Sequence, residues 1–486
     1  MTTRLSTFHD LGAVGIVRAF VAETGRYFGA DETEKHQLEL AAEEAAAFII
    51  DAFRPDPNEL FEIEAEPIDN GLRFLFRNKG IPVDEENLPV YDSRHPEASM
   101  AGLSFFLLES LTDALQFRNE GNRGWVLVFE KRFRRFKPLR KSPPLETAAI
   151  DACAKEKLEA GLATPADAYD IVKLTYLTYR YSYVKRIFYY RKELEEAIAS
   201  GRVIAFVAKN REGEVVVNSA YFRSPHCNAI AEAGMLMSRP EYRKNRALLR
   251  VSRMQVHYLK EGKGGLRAAY AKLVTAHTRS QKLVSAYRFV PTALKLSVHD
   301  PAEFVGIETD EVRRESLLYA LLAPNGLDPT TLYLPKEHVE ITHTLIQDFE
   351  TLSLHTESRL PERQTSEFTV EKEERDRYAL ITIEHLGQDW AEGLRRRMKE
   401  LSDDGIITLH LHIPADRPLP PDFEKTMARL RLFYSGVVIK TMAEWDLVYT
   451  HLQGQRFDFD AVMLSDERAI ALREYMRKAH ARVEEV

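Results

Sequence analysis

Leu38-Glu39-Leu40-Ala41-Ala42-Glu43-Glu44-Ala45-Ala46-Ala47-Phe48 lies within a run from about Glu32 to Phe53 that is rich in alanine, glutamate and leucine. Those residue types favour helix. Glu44 and Phe48 stand four apart, so their side chains share one helix face, one turn from each other. An earlier helix is expected between residue 11 and this one. Downstream, Phe61 to Glu66 and Leu72 to Asn78 alternate as strands around an Asn70-Gly71 turn. Two loop patches follow, Asn78-Lys79-Gly80-Ile81-Pro82-Val83-Asp84 and Ala101-Gly102-Leu103-Ser104. A helix is read over Leu103 to Leu115 and a closing strand over Gly124 to Phe133. Helices on one face of a mixed sheet follow from this order.

The three patches, in this order, resemble the boxes of the GHKL ATPases, most closely the anti-sigma-factor serine kinase branch. The first box of that family is Glu-x-x-x-Asn. The resemblance gives Glu44 the catalytic role of polarising the attacking group, while Phe48 stands where an asparagine oxygen would hold Mg²⁺. Phenylalanine offers no lone pair, so the resemblance implies ATP without a normal Mg²⁺ site and no metal ligand. In the second box Asn78 replaces an aspartate that accepts from adenine; Gly80 and Pro82 keep the turn. In the third, Gly102 and Leu103 remain beside the phosphates and the second glycine is Ser104. Gly121-Asn122 and the apolar strand Trp125 to Phe129 fit the closing segment.

Residues 164 to 300 resemble the GNAT N-acetyltransferases. The matching pieces are Glu232-Ala233-Gly234-Met235-Leu236-Met237-Ser238-Arg239-Pro240-Glu241-Tyr242-Arg243 and Thr275-Ala276-His277-Thr278-Arg279-Ser280-Gln281-Lys282. In that family a splayed strand receives pantetheine, and the next helix begins with a glycine-containing loop that holds the CoA pyrophosphate. The resemblance places Met237, Arg243, Lys244 and Asn245 against acetyl-CoA. Arg246 and Leu248 stand where the family keeps small residues. Glu232 reads either as a general base on the splayed strand or as a strand-edge carboxylate paired with an arginine. His277 reads as a base or anchor, or as a hydrogen-bonded strand-end residue, and Ser280 as the N-cap of the next helix.

Around these motifs, 486 residues exceed one ordinary core. The expected fold class is α+β and α/β multidomain: a GHKL-like α/β sandwich over 1–136, a basic and proline-containing linker over 137–163, and tandem GNAT-like mixed-sheet domains over 164–360 and 371–486. The run of seven basic residues from Lys131 to Lys141 reads as a charged strand end entering a linker, or as a patch for phosphate or an acidic partner. The third block repeats the helix–strand logic of the second and has no pyrophosphate loop, so it reads as structural, or as one wall of a sensor pocket.

The net charge of −7 gives no footprint for nucleic acid. No run approaches the roughly 20 apolar residues needed to span a bilayer. The two cysteines, Cys153 and Cys227, have no ligand spacing, and a reduced cytoplasmic setting is expected. Partner readings follow from the resemblance: a sigma factor or an anti-sigma antagonist, and a homodimer. Two functional readings stand. One is a regulatory switch with weakened or lost catalysis. The other is an acetyl-CoA-dependent N-acetyltransferase with a regulatory ATPase-like domain. N-acetyl transfer keeps more of its needs than serine/threonine phosphorylation, because attack of an amine on a bound thioester rests mainly on positioning.

Overall fold

The computed structural model describes residues 2–53, 60–81, 91, 94, 102–121, 124–137, 147–300 and 313–484. Pro82, Val83, Asp84, Ala101, Asn122 and Lys141, all named above, lie outside the described residues, as does Arg140 of the basic run. Two compact units result, Met1–Pro143 and Pro144–Val486.

The first unit runs β1 (Thr3–Phe8), α1 (Val14–Tyr27), α2 (Glu32–Phe53), β2 (Leu60–Ile68), β3 (Gly71–Asn78), α3 (Leu103–Leu111), β4 (Ala114–Asn119) and β5 (Trp125–Arg132). Its sheet has the order β1-β2-β3-β5-β4, antiparallel throughout. α2 starts on a reciprocal cap: Glu34 N donates to Asp31 Oδ1, and Asp31 N donates to Glu34 Oε2, both at 2.9 Å. From there Leu38, Ala41, Ala42, Ala45, Ala46, Phe48 and Ile49 are buried in one core with Phe61, Phe74, Phe76 and Phe129. Small alanines let α2 lie close to its neighbours. Where α1 ends, a Cβ on Gly25 would come within 2.2 Å of Leu38 Cδ1.

Two strands of this unit escaped the sequence reading. β1 is an edge strand with exposed Phe8 and polar Thr3, Arg4 and Ser6, so it lacks a clear alternation. The helix expected to reach Leu115 ends at Leu111. Thr112 turns to extended backbone while its hydroxyl donates to the Leu108 carbonyl, and Lys131 Nζ donates to the Leu111 carbonyl. β4 then pairs with β5. Lys131 is thereby buried at a helix end, and the Arg134 amide donates to Glu34. These basic residues are built into the unit.

The second unit continues with α4 (Thr147–Lys155), β6 (Glu159–Leu162), α5 (Ala168–Tyr179), α6 (Arg191–Ala199), β7 (Val203–Lys209), β8 (Val215–Arg223), β9 (Ile230–Ser238), α7 (Ala247–Lys260), β10 (Ala268–Val274), α8 (Arg279–Ser285), β11 (Val290–His299) and β12 (Glu315–Leu322). Then follow β13 (Thr330–Tyr333), α9 (Val339–Ile346), β14 (Leu352–His355), β15 (Glu367–Glu373), β16 (Tyr378–His385), α10 (Trp390–Asp403), β17 (Thr408–Pro414), α11 (Phe423–Arg429), β18 (Phe433–Ile439), β19 (Trp445–Leu452) and α12 (Glu467–Glu484). α4 and β6 occupy part of the stretch expected as linker. β6 extends the sheet by pairing with β7, and the 137–163 reading is corrected to that extent.

Twelve strands form one sheet in the order β15-β16-β17-β19-β18-β11-β12-β10-β9-β8-β7-β6. It contains the same motif twice. In the first half β9 crosses through α7 to parallel β10, β10 pairs with β12, and β11–β12 is a hairpin. In the second half β16 crosses through α10 to parallel β17, β17 pairs with β19, and β18–β19 is a hairpin. The halves meet where β11 pairs with β18 at Ala293 and Gly436. Gly436 has φ +111°, and a Cβ there would come within 2.3 Å of the Thr292 carbonyl oxygen. A glycine is therefore required for the halves to share a sheet. One apolar core runs from Leu158 to Val483 through both halves. The stretches expected as separate domains, 164–360 and 371–486, thus lie in one compact unit with a shared core.

Candidate functional site

In the first unit, Glu44 is half-buried on α2. One turn on, Phe48 is 4% exposed. Its ring packs 6.3 Å from Phe105 and 6.0 Å from Phe117, centroid to centroid. Phe117 in turn lies 5.9 Å from Trp125. The place of a metal-holding oxygen is taken by an aromatic cluster that ties α2 and α3 to the sheet. Phe48 itself offers no lone pair to a cation. Asn78 is buried at the end of β3, and its Oδ1 accepts from the Gly80 amide at 3.1 Å. The oxygen expected to face adenine thus braces its own turn. Gly102 is the buried N-cap residue of α3, and Leu103 and Ser104 begin that helix.

The second unit holds a cavity of about 830 Å³. Its cause is a strand pair that stops early. β9 and β10 are partners only from Ile230 with Ala268 to Ala233 with Ala271. Beyond that point β9 stays with β8 and β10 with β12. At the divergence Met235 has φ +61° and the β8–β9 register shifts by a bulge. Asn218 Nδ2 donates to the Met235 carbonyl at 3.1 Å and holds the bulge. The gap is lined by Gly234 to Ser238 on one side and Lys272 to Val274 on the other.

Glu232 sits at the root of this gap, 8% exposed. Lys185 and Lys272 both reach its Oε2, each at 3.0 Å. Burial pushes this carboxyl's pKa up, but Lys272 and Lys185 more than offset that and hold it below the ordinary carboxylate range. A carboxylate so held is a poor proton acceptor. The expected arginine partner is in fact a pair of lysines. Nearby, the Tyr183 hydroxyl donates to Met235 Sδ, and burial raises that phenol well above its usual pKa.

The other sequence-read residues divide. Arg243 lines the cavity beside Tyr179, whose phenol burial pushes up to about 12. Met237 lines it through β9 while its side chain joins the α5–α6 core, where Thr175 Oγ1 reaches its Sδ at 3.6 Å. Lys244 points away, 3.8 Å from Asp151. Asn245 is spent on structure. Its Nδ2 donates to the Cys153 and Glu156 carbonyls at 2.8 and 3.0 Å, and its Oδ1 accepts from the Ala247 amide at 2.9 Å. α7 begins just after this bracing, at Ala247. Asn245→Ala is expected to cost about 2 kcal/mol by leaving buried carbonyls unpaired, measured as a lower melting temperature of the full chain. His277 and Ser280 both line the cavity. Thr278, not Ser280, is the N-cap residue of α8.

Lys185, Lys272, Lys295 and Tyr319 complete the cavity and escaped the sequence reading. The available signal was a lysine inside each of two apolar strands, Ala268 to Val274 and Val290 to His299. Alternation puts Tyr270 with Lys272 on one face of β10. Glu371, Asp376 and Tyr378 bring the second half of the sheet to the same wall. Among the described residues no cluster of histidine, cysteine, aspartate and glutamate could hold a metal, and no helix is long and apolar enough to cross a membrane.

Residues 9–131 match the histidine kinase-like ATPase domain family, the class in which the capped α2 and the five-stranded sheet find their place. Within it, the anti-sigma F factor of Clostridium beijerinckii is 32% identical over 123 residues, which are 24% of this chain and 81% of that protein. Through this amino-terminal quarter the chain belongs to the anti-sigma F factor family. Among solved structures, an N-acetyltransferase from Staphylococcus aureus covers 35% of this chain and 99% of its own, at 14% identity and a TM-score of 0.28. A GNAT superfamily phosphinothricin acetyltransferase from Sinorhizobium meliloti, in complex with acetyl-CoA, covers 34% and 88%, at 16% identity and a TM-score of 0.27.

Proposed function

We propose that this chain is a regulatory protein. Its anti-sigma-type unit binds a protein partner, a sigma factor or an antagonist of an anti-sigma factor, and its second unit binds an acyl-CoA-type ligand. Binding replaces turnover at both. The reading is carried by Glu232, the carboxylate at the root of the splayed strands, which is locked between Lys185 and Lys272 at 3.0 Å. Phe48 in its aromatic cluster supports the same reading for the first unit.

The β9–β10 gap, lined by both strands beyond their last paired residues, supports a pantetheine arm as the ligand. Arg243, which lines the same cavity, is the residue that would meet the diphosphate. A ligand of this kind shifts partner affinity only by its differential binding to two states of the chain.

Calorimetric titration of the full chain with acetyl-CoA, alongside an assay for free CoA thiol over a panel of primary amines, tests this. Expected is binding that Arg243→Ala weakens at least tenfold, with no thiol released. Sustained thiol release would replace the regulatory reading by N-acetyl transfer. Absence of binding would remove acyl-CoA from the reading. Co-elution of the full chain with a sigma factor of the sigma F type tests the partner separately.

A further inference from the structure

Lys295 on β11 is 3% exposed and lines the cavity. Among the described residues no carboxylate or hydrogen-bond acceptor comes within reach of its ammonium group; its recorded contact is the Tyr319 ring, 5.1 Å to the centroid. Its neighbours do not supply the missing charge. Lys272 and Lys185 share the single carboxylate of Glu232. Asp446 on β19 and Glu371 on β15 favour the charged form from beyond ion-pair distance. Asp446 lies instead 3.5 Å from His412 Nδ1. His410 and His412 on β17 are held neutral by burial and by Lys295 itself, His412 down to about 4. Tyr319 on β12 and Tyr378 on β16 complete the wall as neutral phenols. Lys272 and Lys185 thus take up Glu232, while Glu371, Glu373 and Asp376 line the same cavity without forming an ion pair with Lys295.

We propose that the inner end of this cavity binds a small organic carboxylate, with Lys295 as its counter-ion. A buried ammonium without a partner costs free energy that an incoming anion recovers. The wall of Tyr319, Tyr378, Leu317 and Leu380 suits the carbon skeleton of an organic acid. A phosphate dianion would need more donors than one uncommitted ammonium. An amine would meet like charge. The inference rests on the cavity being a ligand site, and it is independent of acyl-CoA being one of its ligands.

Burial, then Lys272, holds the Lys295 pKa down to about 7. Its folded value lies below the unfolded one, so the unliganded chain gains stability as pH rises from about 7 towards the unfolded value near 10.4. Carboxylate binding has the opposite dependence, because it needs the charged form.

Thermal melts of the full chain with succinate and with benzoate, at about pH 6 and about pH 9, test the inference. Inorganic phosphate and spermidine serve as separate arms. At the lower pH a carboxylate is expected to raise the melting temperature by several degrees, and the shift is expected to shrink at the higher pH. Lys295→Met should melt higher than the parent without ligand and lose the shift, with affinity at least tenfold weaker. Lys295→Gln should lose it too. The inference falls if neither acid shifts the parent, if the shift survives in both variants, or if phosphate or spermidine shifts the parent and the acids do not. Acetyl-CoA binding, read through Arg243→Ala, reports on a different lining residue and separates the two outcomes.

Discussion

Phe48→Asn is expected to weaken the amino-terminal unit by about 4 kcal/mol and to leave it without Mg²⁺-dependent ATP binding. The substitution restores the side chain that the GHKL resemblance implies for the first box. It does so inside a cluster where Phe48 touches the rings of Phe105 and Phe117. Removing the phenyl ring opens a void between α2, α3 and β4, and the new amide is buried there. A loss of this size is a large share of a domain's usual stability. Melting of the full chain followed by tryptophan fluorescence reads it, since Trp125 belongs to the same unit and packs on Phe117. ATP titration with and without Mg²⁺ reads the site. A variant that melts like the parent and gains Mg²⁺-dependent binding would show that the pocket lacked one oxygen and nothing else.

Glu232→Gln is expected to lower the stability of the second unit by about 2–4 kcal/mol. Glutamine keeps the shape but removes the charge that Lys185 and Lys272 share. Two lysines would then face each other and Lys295 across the cavity floor with no counter-ion. Water in the cavity reaches the two partly exposed lysines, which keeps the figure below that for fully enclosed charges. The sign with pH follows from the depressed folded pKa of Glu232. Its contribution is present above the ordinary carboxylate value near 4.3 and is lost as pH falls through the folded value. The parent and variant melting curves should therefore converge in acid. A Glu232→Gln chain as stable as the parent at neutral pH would mean that the carboxylate is held for chemistry rather than for its lysines.

The two substitutions separate what was legible in the chain from what was not. The alanine-rich helix with Glu44 and Phe48 on one face was readable because helical period and composition agree locally. The strands at 61–66 and 72–78 were readable from alternation and a turn dipeptide. β1 and β4 were not, because edge strands need no apolar face of their own and take their register from β2 and β5. Asn245 was read as a ligand-facing residue, since its place in the loop before α7 is all that a chain shows. Its consumption by the Cys153 and Glu156 carbonyls depends on α4, some ninety residues earlier.

The cavity is the extreme case. Glu232 was visible as a carboxylate on a strand, yet its two lysines come from the segment after α5 and from β10. Lys295 stood in an apolar strand without any local sign of what it faces. Its surroundings arise because β11 pairs with β18, joining the two repeated halves of the sheet through Gly436.

Residue order alone thus determined the alanine-rich helix, the strands at 61–66 and 72–78, the anti-sigma-type class of the first unit and the absence of a side-chain oxygen at position 48. Those depend on properties within a turn or two of the chain. Only the tertiary structure decided that aromatic rings pack around position 48, that 144–486 is one compact unit, and that Lys295 is buried in a cavity wall without an ion-pair partner. Charge balance and packing are sums over groups distant in sequence, and no local pattern encodes them.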